Sequence, residues 1–403
     1  MLKKEQLILL LLACINFTHI TDFMIMMPLG PQLIRIMHIS PLQFSYLVSA
    51  YTFSAGVSGF AAAFFVDKYD RKKVLLTGYI GFIIGTFACA FSPTYHLLLA
   101  SRILAGTFGG LIGAQVQSIV ADTFPFERRG KAMGTLMAAF SVASVVGVPL
   151  GLYFATVYNW QFPFMIVGAL GLIIIPLVYF YIPNMVDHIQ KHETKPNPFA
   201  VITNILSNTN QMRALMLTST LMFAHFIIVP LLSPFMVANV GFTEHQLTYI
   251  YLVGGTLTIF SAPLVGKLAD KYGKQSVLTA FSFIALLPLF FITHIGVVPL
   301  YVALTITAGF FVFSGGRMIP SMALVSSVVT PQQRGSFMSI NSSLQQITTG
   351  LAAFIAGNIV IKSAEGPLLH YNWIGYISIA ATFACIVIAK KLKPITSSPL
   401  PIS

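Results

Sequence analysis

Apolar residues run along this chain in long blocks separated by short polar turns. Twelve blocks, near residues 7–29, 42–66, 74–92, 96–122, 132–156, 161–182, 214–237, 246–266, 277–294, 299–328, 337–361 and 373–390, approach or exceed the ~20 residues that a helix needs to cross a bilayer. One polar interruption is longer than the rest. It carries His188, Lys191, His192, Glu193, Lys195 and Pro196 and reads as a partly helical or flexible linker. The predicted fold class is an all-α membrane protein with a six-helix bundle over 1–182, a linker over 183–213 and a second six-helix bundle over 214–403.

Composition agrees with that pattern. Of 403 residues, 56% are hydrophobic and 8% are charged, with a mean hydropathy of +0.83, where a soluble domain carries about 25% charged residues. The net charge of +12 could point to nucleic acid, so the placement of the 23 basic residues decides its meaning. All but Arg35, Lys362, Arg102 and Arg317 fall in alternate loops or at the two ends. Such a bias predicts that both termini and the linker are cytoplasmic, and no nucleic-acid partner is expected. Lys3, Lys4 and the run Leu7 to Leu12 before Cys14 mimic a signal peptide, but the apolar segment continues to Met27 and reads as an uncleaved first span. Cys14, Cys89 and Cys385 lie inside apolar runs and read as small buried hydrophobes.

The chain repeats itself at a constant offset. Asp67-Lys68-Tyr69 recurs as Asp270-Lys271-Tyr272, Ala105-Gly106 as Ala308-Gly309, Ser118 as Ser321 and Pro31 as Pro234, each displaced by 203 residues. Arg129-Gly130 recurs as Arg334-Gly335 at an offset of 205, and Trp160 and Trp373 open the last span of each half. Two pseudo-symmetric halves are the repeat architecture of carriers, whose substrate sites lie between the repeats.

The loop after span 2 reads Ala63-Phe64-Phe65-Val66-Asp67-Lys68-Tyr69-Asp70-Arg71-Lys72-Lys73, and the loop after span 8 reads Gly266-Lys267-Leu268-Ala269-Asp270-Lys271-Tyr272-Gly273-Lys274. Both resemble the G-x-L-A-D-x-x-G-R-[KR] signature of the major facilitator superfamily. The first copy carries Ala63 and Asp70 where the signature has glycines, and the second carries Lys274 in place of the arginine. The resemblance implies the major facilitator fold. It also implies a charge latch that holds the outward-facing state, built from Asp67, Arg71 and Asp122, with Asp270 and Lys274 in the second copy. Arg102-Ile103-Leu104-Ala105-Gly106 is similar to the R-x-x-x-G motif of span 4. Gly147-Val148-Pro149-Leu150-Gly151, followed by Trp160 and Phe164, resembles the span-5 motif of exporters, with Val148 interrupting the usual glycine–proline pair. Asp22 with Pro28 is similar to the D-x-x-x-x-x-P motif of proton-driven antiporters. Together these point to the drug:proton antiporter and sugar-efflux permease branch.

The ionisable residues inside spans carry the candidate chemistry. A mid-bilayer carboxylate costs about 2.5–3.5 kcal/mol on insertion scales, so it persists where it meets a cavity or a partner. Asp22 sits roughly 8 Å, and Arg102 about 9 Å, below the same edge of a ~30 Å hydrocarbon core at 1.5 Å per residue. An Asp22–Arg102 ion pair is expected, acting either as a proton-coupling switch or as permanent glue between spans 1 and 4. The repeat maps Asp22 onto His225, and His19 lies one turn before Asp22 on the same helical face. Each histidine reads as a proton group or as a hydrogen-bonded packing residue. Arg317, in Ser314-Gly315-Gly316-Arg317, has no obvious acid in a neighbouring span, so it either meets an anionic or polar substrate group or snorkels to the interface. Gln115, Asn341 and Gln345 add hydrogen-bonding capacity for a substrate, though helix packing explains such residues as well.

The expected function is alternating-access secondary transport, with a cavity lined by spans 1, 4, 7 and 10. It is read as proton-coupled export of a small organic molecule from a bacterial inner membrane by a monomer. The partners are then a small-molecule substrate, protons and the bilayer, with no cofactor or metal and the proton gradient as energy source. The alternatives are an importer, facilitator or lipid flippase of the same fold, and an intramembrane enzyme using His19 and Asp22. An enzyme is not expected, since H-E-x-x-H and G-x-S-x-G are absent.

Overall fold

The structure is a computed structural model that describes residues 3–124, 126–186, 198–330 and 334–393. The first half runs through α1 (Lys3–Ile25), α2 (Gly30–Ile36), α3 (Pro41–Phe65), α4 (Arg71–Ala90), α5 (Tyr95–Thr123), α6 (Phe126–Val142), α7 (Val148–Val157) and α8 (Phe162–Tyr181). A short α9 (Pro198–Ser207) precedes the second half, and linker residues 187–197 lie outside the described residues. The second half comprises α10 (Thr209–Phe226), α11 (Val229–Ala238), α12 (Glu244–Tyr272), α13 (Lys274–His294), α14 (Leu300–Gly309), α15 (Met318–Ser326), α16 (Arg334–Ile359) and α17 (Tyr371–Lys390). An antiparallel hairpin of β1 (Ile361–Lys362) and β2 (Leu368–Leu369) joins the last two helices.

Four of the twelve spans are broken, three of them beside a proline. Pro28 has no amide hydrogen to donate, so span 1 stops at Ile25, turns through bonds from Met27 N–H to Met24 O and Gly30 N–H to Met27 O, and resumes as α2 with Pro31 in its first turn. Span 7 breaks at Ile227–Ile228, with Pro230 opening α11. Span 5 passes from α6 to α7 through a π turn, Ala143–Gly147, just ahead of Pro149. Span 10 passes from α14 into a second π turn, Phe310–Ser314, and then α15. π turns are frequent at functional sites because they widen the helix and free carbonyls for other partners.

Among the described residues, ten helical stretches are long and apolar enough to cross a bilayer. The helices α3 and α16 complete the twelve. They are rich in Ser, Thr and Gly because they pack on each other. A Cβ on Gly56 would stand 2.6 Å from Ile347 Cγ1, and one on Gly350 would stand 2.7 Å from Thr52 Oγ1. Close approach of small-residue faces is how helices associate in lipid.

Both ends of the described chain, Lys3 and Lys393, lie at one face of the bundle, here termed the linker face. Glu5 pairs there with Arg128 at 2.9 Å, and the Asn210 amide donates to the Lys393 carbonyl at 2.6 Å. At the opposite, far face the two halves close on one another. A single apolar core runs across both, joining Met26, Leu29 and Phe44 of the first half to Ile228, Leu231 and Phe235 of the second. Gly30 lies under Pro234, and Arg35 pairs with Glu244 across the halves at 2.7 Å. Toward the linker face this core divides into separate clusters for the first half, around Leu12, Phe82 and Val120, and for the second, around Leu217, Leu278 and Leu324. The molecule is therefore sealed at its far face and apolar-split at its linker face.

Candidate functional site

Span 1 runs antiparallel to span 4, and at matched depth the two bring Asp22 and Arg102 together. Arg102 Nη1 donates to Asp22 Oδ2 at 2.8 Å and lies 3.5 Å from the Asp22 carbonyl, and Thr86 Oγ1 of span 3 donates to Asp22 Oδ1 at 3.1 Å. The guanidinium stands 4.2 Å over the Tyr51 ring, a cation–π contact from span 2. Asp22 and Arg102 are both 0% exposed. Arg102 Nε and Nη2, Tyr51 Oη and His19 Nε2 have no hydrogen-bond partner. The pair is thus desolvated but incompletely bonded, and an incompletely satisfied buried network is costly.

His19 packs between Phe82 and Tyr51, with ring centroids 5.5 and 6.3 Å away. Gly109 makes room for it. A Cβ there would stand 2.8 Å from His19 Nε2 and 3.0 Å from Tyr51 Oη, so both unpartnered groups converge on one spot of span 4.

The span-5 glycines pack directly beside this site. A Cβ on Gly147 would stand 2.6 Å from Thr21 Oγ1, and one on Gly151 would stand 2.7 Å from Ile25 Cδ1. Pro149 is buried between them. On its other side the same π turn meets Gly255 of span 8, whose Cβ would lie 3.1 Å from the Ser144 carbonyl and 3.2 Å from Val145 Cα. One stretch of span 5 therefore touches both the residue next to Asp22 and the opposite half.

In the second half, His225 occupies the end of α10 and stacks on Phe310 at 5.3 Å with planes 3° apart. Its neighbour Phe226 reaches Phe23 of the first half at 6.2 Å. Arg317 does not snorkel. It is 0% exposed, donating from Nε to the Ser314 carbonyl at 3.3 Å and from Nη1 to Thr382 Oγ1 of span 12 at 3.0 Å. Gln115 and Asn341 are buried with their amide oxygens unbonded, while Gln345 is half-buried.

The signature loops differ between the halves. Arg71 Nε forms an ion pair with Asp122; the Asp67 side chain lies outside the described residues. Asp270 and Lys274 are exposed and make no ion pair among the described residues. The repeat partner of Asp122 is Val325, so Lys274 meets no acid at that position. Asp70 also differs from its repeat partner Gly273. Gly273 adopts φ +89°, a conformation that favours glycine, whereas position 70 has φ −57°. There the carboxylate caps α4 through the Lys72 N–H and holds the Met185 N–H, both at 2.9 Å.

Sequence reading did not find Thr86, Tyr51, Ser314 or Thr382. Lone hydroxyls in spans usually bond their own helix, as Ser54 bonds the Tyr51 carbonyl at 3.0 Å, so only tertiary contact distinguishes these four.

The family model described as Major Facilitator Superfamily matches residues 12–353, and again 215–402. Multidrug resistance protein 2 of Bacillus subtilis is 23% identical over 96% of this chain and 94% of its own length. The multi-drug resistance efflux pump PmrA homolog of Lactococcus lactis is 26% identical over 85% and 87%. The riboflavin transporter RibZ of Clostridioides difficile is 24% identical over 92% and 90%. Among solved structures, a bacterial homolog of the human lysosomal transporter Spinster, inward-facing and unoccupied, superposes with a TM-score of 0.71 at 14% identity, covering 97% of this chain and 96% of that one. With its repeat, its two signature loops and the family match across both halves, this chain belongs to the major facilitator superfamily of membrane transporters.

Proposed function

We propose that the chain is a proton-coupled exporter of a small organic molecule, working by alternating access as a monomer in a bacterial inner membrane. The observation that carries this reading is the fully buried Asp22–Arg102 pair, with donors to spare, packed through Thr21 against Gly147 of the span-5 exporter motif. Protonating Asp22 removes the charge that compensates Arg102, and the cost of an unpaired buried cation drives span 1 to rearrange. Span 5 relays that movement, because its π turn bears on Gly255 of the other half. His19 and Tyr51, with unpartnered polar atoms beside the pair, give the proton its route, and His225 offers a second titratable group across the interface.

The loop charges support a cytoplasmic linker face. On that orientation the sealed far face is external, and the structure is the inward-facing state that loads cargo from the cytoplasm. Arg71 and Asp122 pair within the first half, poised to complete the outward-state latch when the linker face closes, and Gln115, Asn341 and Gln345 supply hydrogen bonds to cargo. The proton gradient is the energy source. Likeness to proteins named for multidrug resistance, one of them as an efflux pump, favours drug-like cargo.

The test uses everted vesicles with an imposed proton gradient and a panel of labelled drugs, vitamins and sugars. Export predicts gradient-dependent accumulation in wild type and its loss in Asp22→Asn. Loss of label from the vesicles, or accumulation that ignores the gradient, overturns the proposal in favour of import or facilitated diffusion.

A further inference from the structure

Among the described residues two arginines are buried completely, one in each half, and their surroundings differ. Arg102 has Asp22. The acids after residue 198 are Glu244, Asp270 and Glu365. Glu244 is paired with Arg35 at the far face, while Asp270 and Glu365 are exposed. Among the described residues Arg317 has no carboxylate, its Nη2 has no partner, and its 0% exposure denies it solvent. A guanidinium stays charged at any physiological pH, and a buried charge requires a compensating one.

Two other unpartnered groups lie on the same span and on span 7, which packs against it. The Nε bond to the Ser314 carbonyl turns the Arg317 side chain back along span 10, toward the level of Ser314 and Phe310. Ser314 is 0% exposed and its Oγ is unbonded. His225 lies flat on Phe310 with Nδ1 unbonded. Span 12 fixes the spacing. Ser378 Oγ donates to the carbonyl of Ala224, the residue before His225, and Thr382, one turn further along, holds Arg317 Nη1. Along span 12 the contact to Arg317 is therefore about one helical turn, ~5–6 Å, from the contact to the residue beside His225. His225 is 8% exposed, although Nδ1 itself is buried.

We infer that Arg317 Nη2–H, Ser314 Oγ–H and His225 Nδ1–H form a binding site for a dehydrated monovalent anionic group, either a free halide or the carboxylate of a cargo molecule. The first half carries its own counter-charge, and the second takes it from a ligand. The inference stands whether or not the chain is an exporter.

The test is thermal unfolding of the purified full chain in detergent, with chloride or acetate replacing sulfate at constant ionic strength. Wild type should gain about 3 °C along a saturating one-site curve. Saturation by chloride alone identifies a free inorganic anion, saturation by acetate alone identifies a cargo carboxylate, and mutual competition identifies a site that accepts either. Arg317→Gln should keep only a linear salt trend, identical for both anions. Ser314→Ala keeps the arginine and should raise the half-saturating concentration about tenfold, so the site remains testable if Arg317→Gln does not fold. A linear response in wild type, saturation unchanged in Arg317→Gln, or an unchanged midpoint in Ser314→Ala overturns the inference.

Discussion

Replacing Asp22 by Asn isolates the charge of the buried pair from its shape. The amide keeps an acceptor for Arg102 Nη1, now at 2.8 Å from the carboxylate, but leaves a full positive charge in a site with 0% exposure. Breaking a buried pair by neutralising one partner costs about 3–5 kcal/mol, of which the retained hydrogen bond returns about 1 kcal/mol. The net loss is about 2–4 kcal/mol. At an unfolding entropy of about 2.1 cal/mol/K per residue, a chain of 403 residues should lose about 2–5 °C in apparent unfolding temperature. Asp22→Asn with Arg102→Met removes both charges and should return to within about 1 kcal/mol of wild type, since buried pairs exchange for apolar groups at little cost. Intrinsic fluorescence in one detergent at one scan rate measures both, because irreversible unfolding makes the midpoint rate-dependent. Proton-driven transport in proteoliposomes should be lost in both variants. A double variant no more stable than the single one, or a single variant as stable as wild type, would refute the electrostatic account of this pair.

Gly147→Ala should cost about 1–3 kcal/mol by overpacking against Thr21, and adding Thr21→Ala should recover most of it in the same unfolding assay, because the clash is with that side chain. Glu244→Gln breaks the pair to Arg35, whose side chain is 67% exposed. It should change stability by less than about 1 kcal/mol yet lengthen the distance between spin labels at Ile36 and His245 by opening the far face. Gly273→Ala should cost about 1 kcal/mol because of its φ of +89°. Asp70→Gly should be no more stable than wild type, since it loses the cap on α4; a gain would show that the carboxylate strains the loop.

The spans, the repeat and the common level of Asp22 and Arg102 were legible in the sequence because a bilayer imposes length and polarity one residue at a time. Apolar runs mark helices, alternating charge marks loops, and 1.5 Å per residue sets Asp22 against Arg102. What a helix touches around its circumference is not encoded this way. Asp22 could be placed in depth, but its bond to Thr86 and the Tyr51 ring over Arg102 depend on the rotation of spans 2, 3 and 4 about their axes. Arg317 shows the difference most clearly. Its lack of an acidic neighbour is visible in the sequence, whereas its complete burial against Thr382 came from packing. The closed far face and divided linker face are likewise tertiary outcomes. A carrier's sequence must suit more than one arrangement of its halves, and composition alone favours none of them.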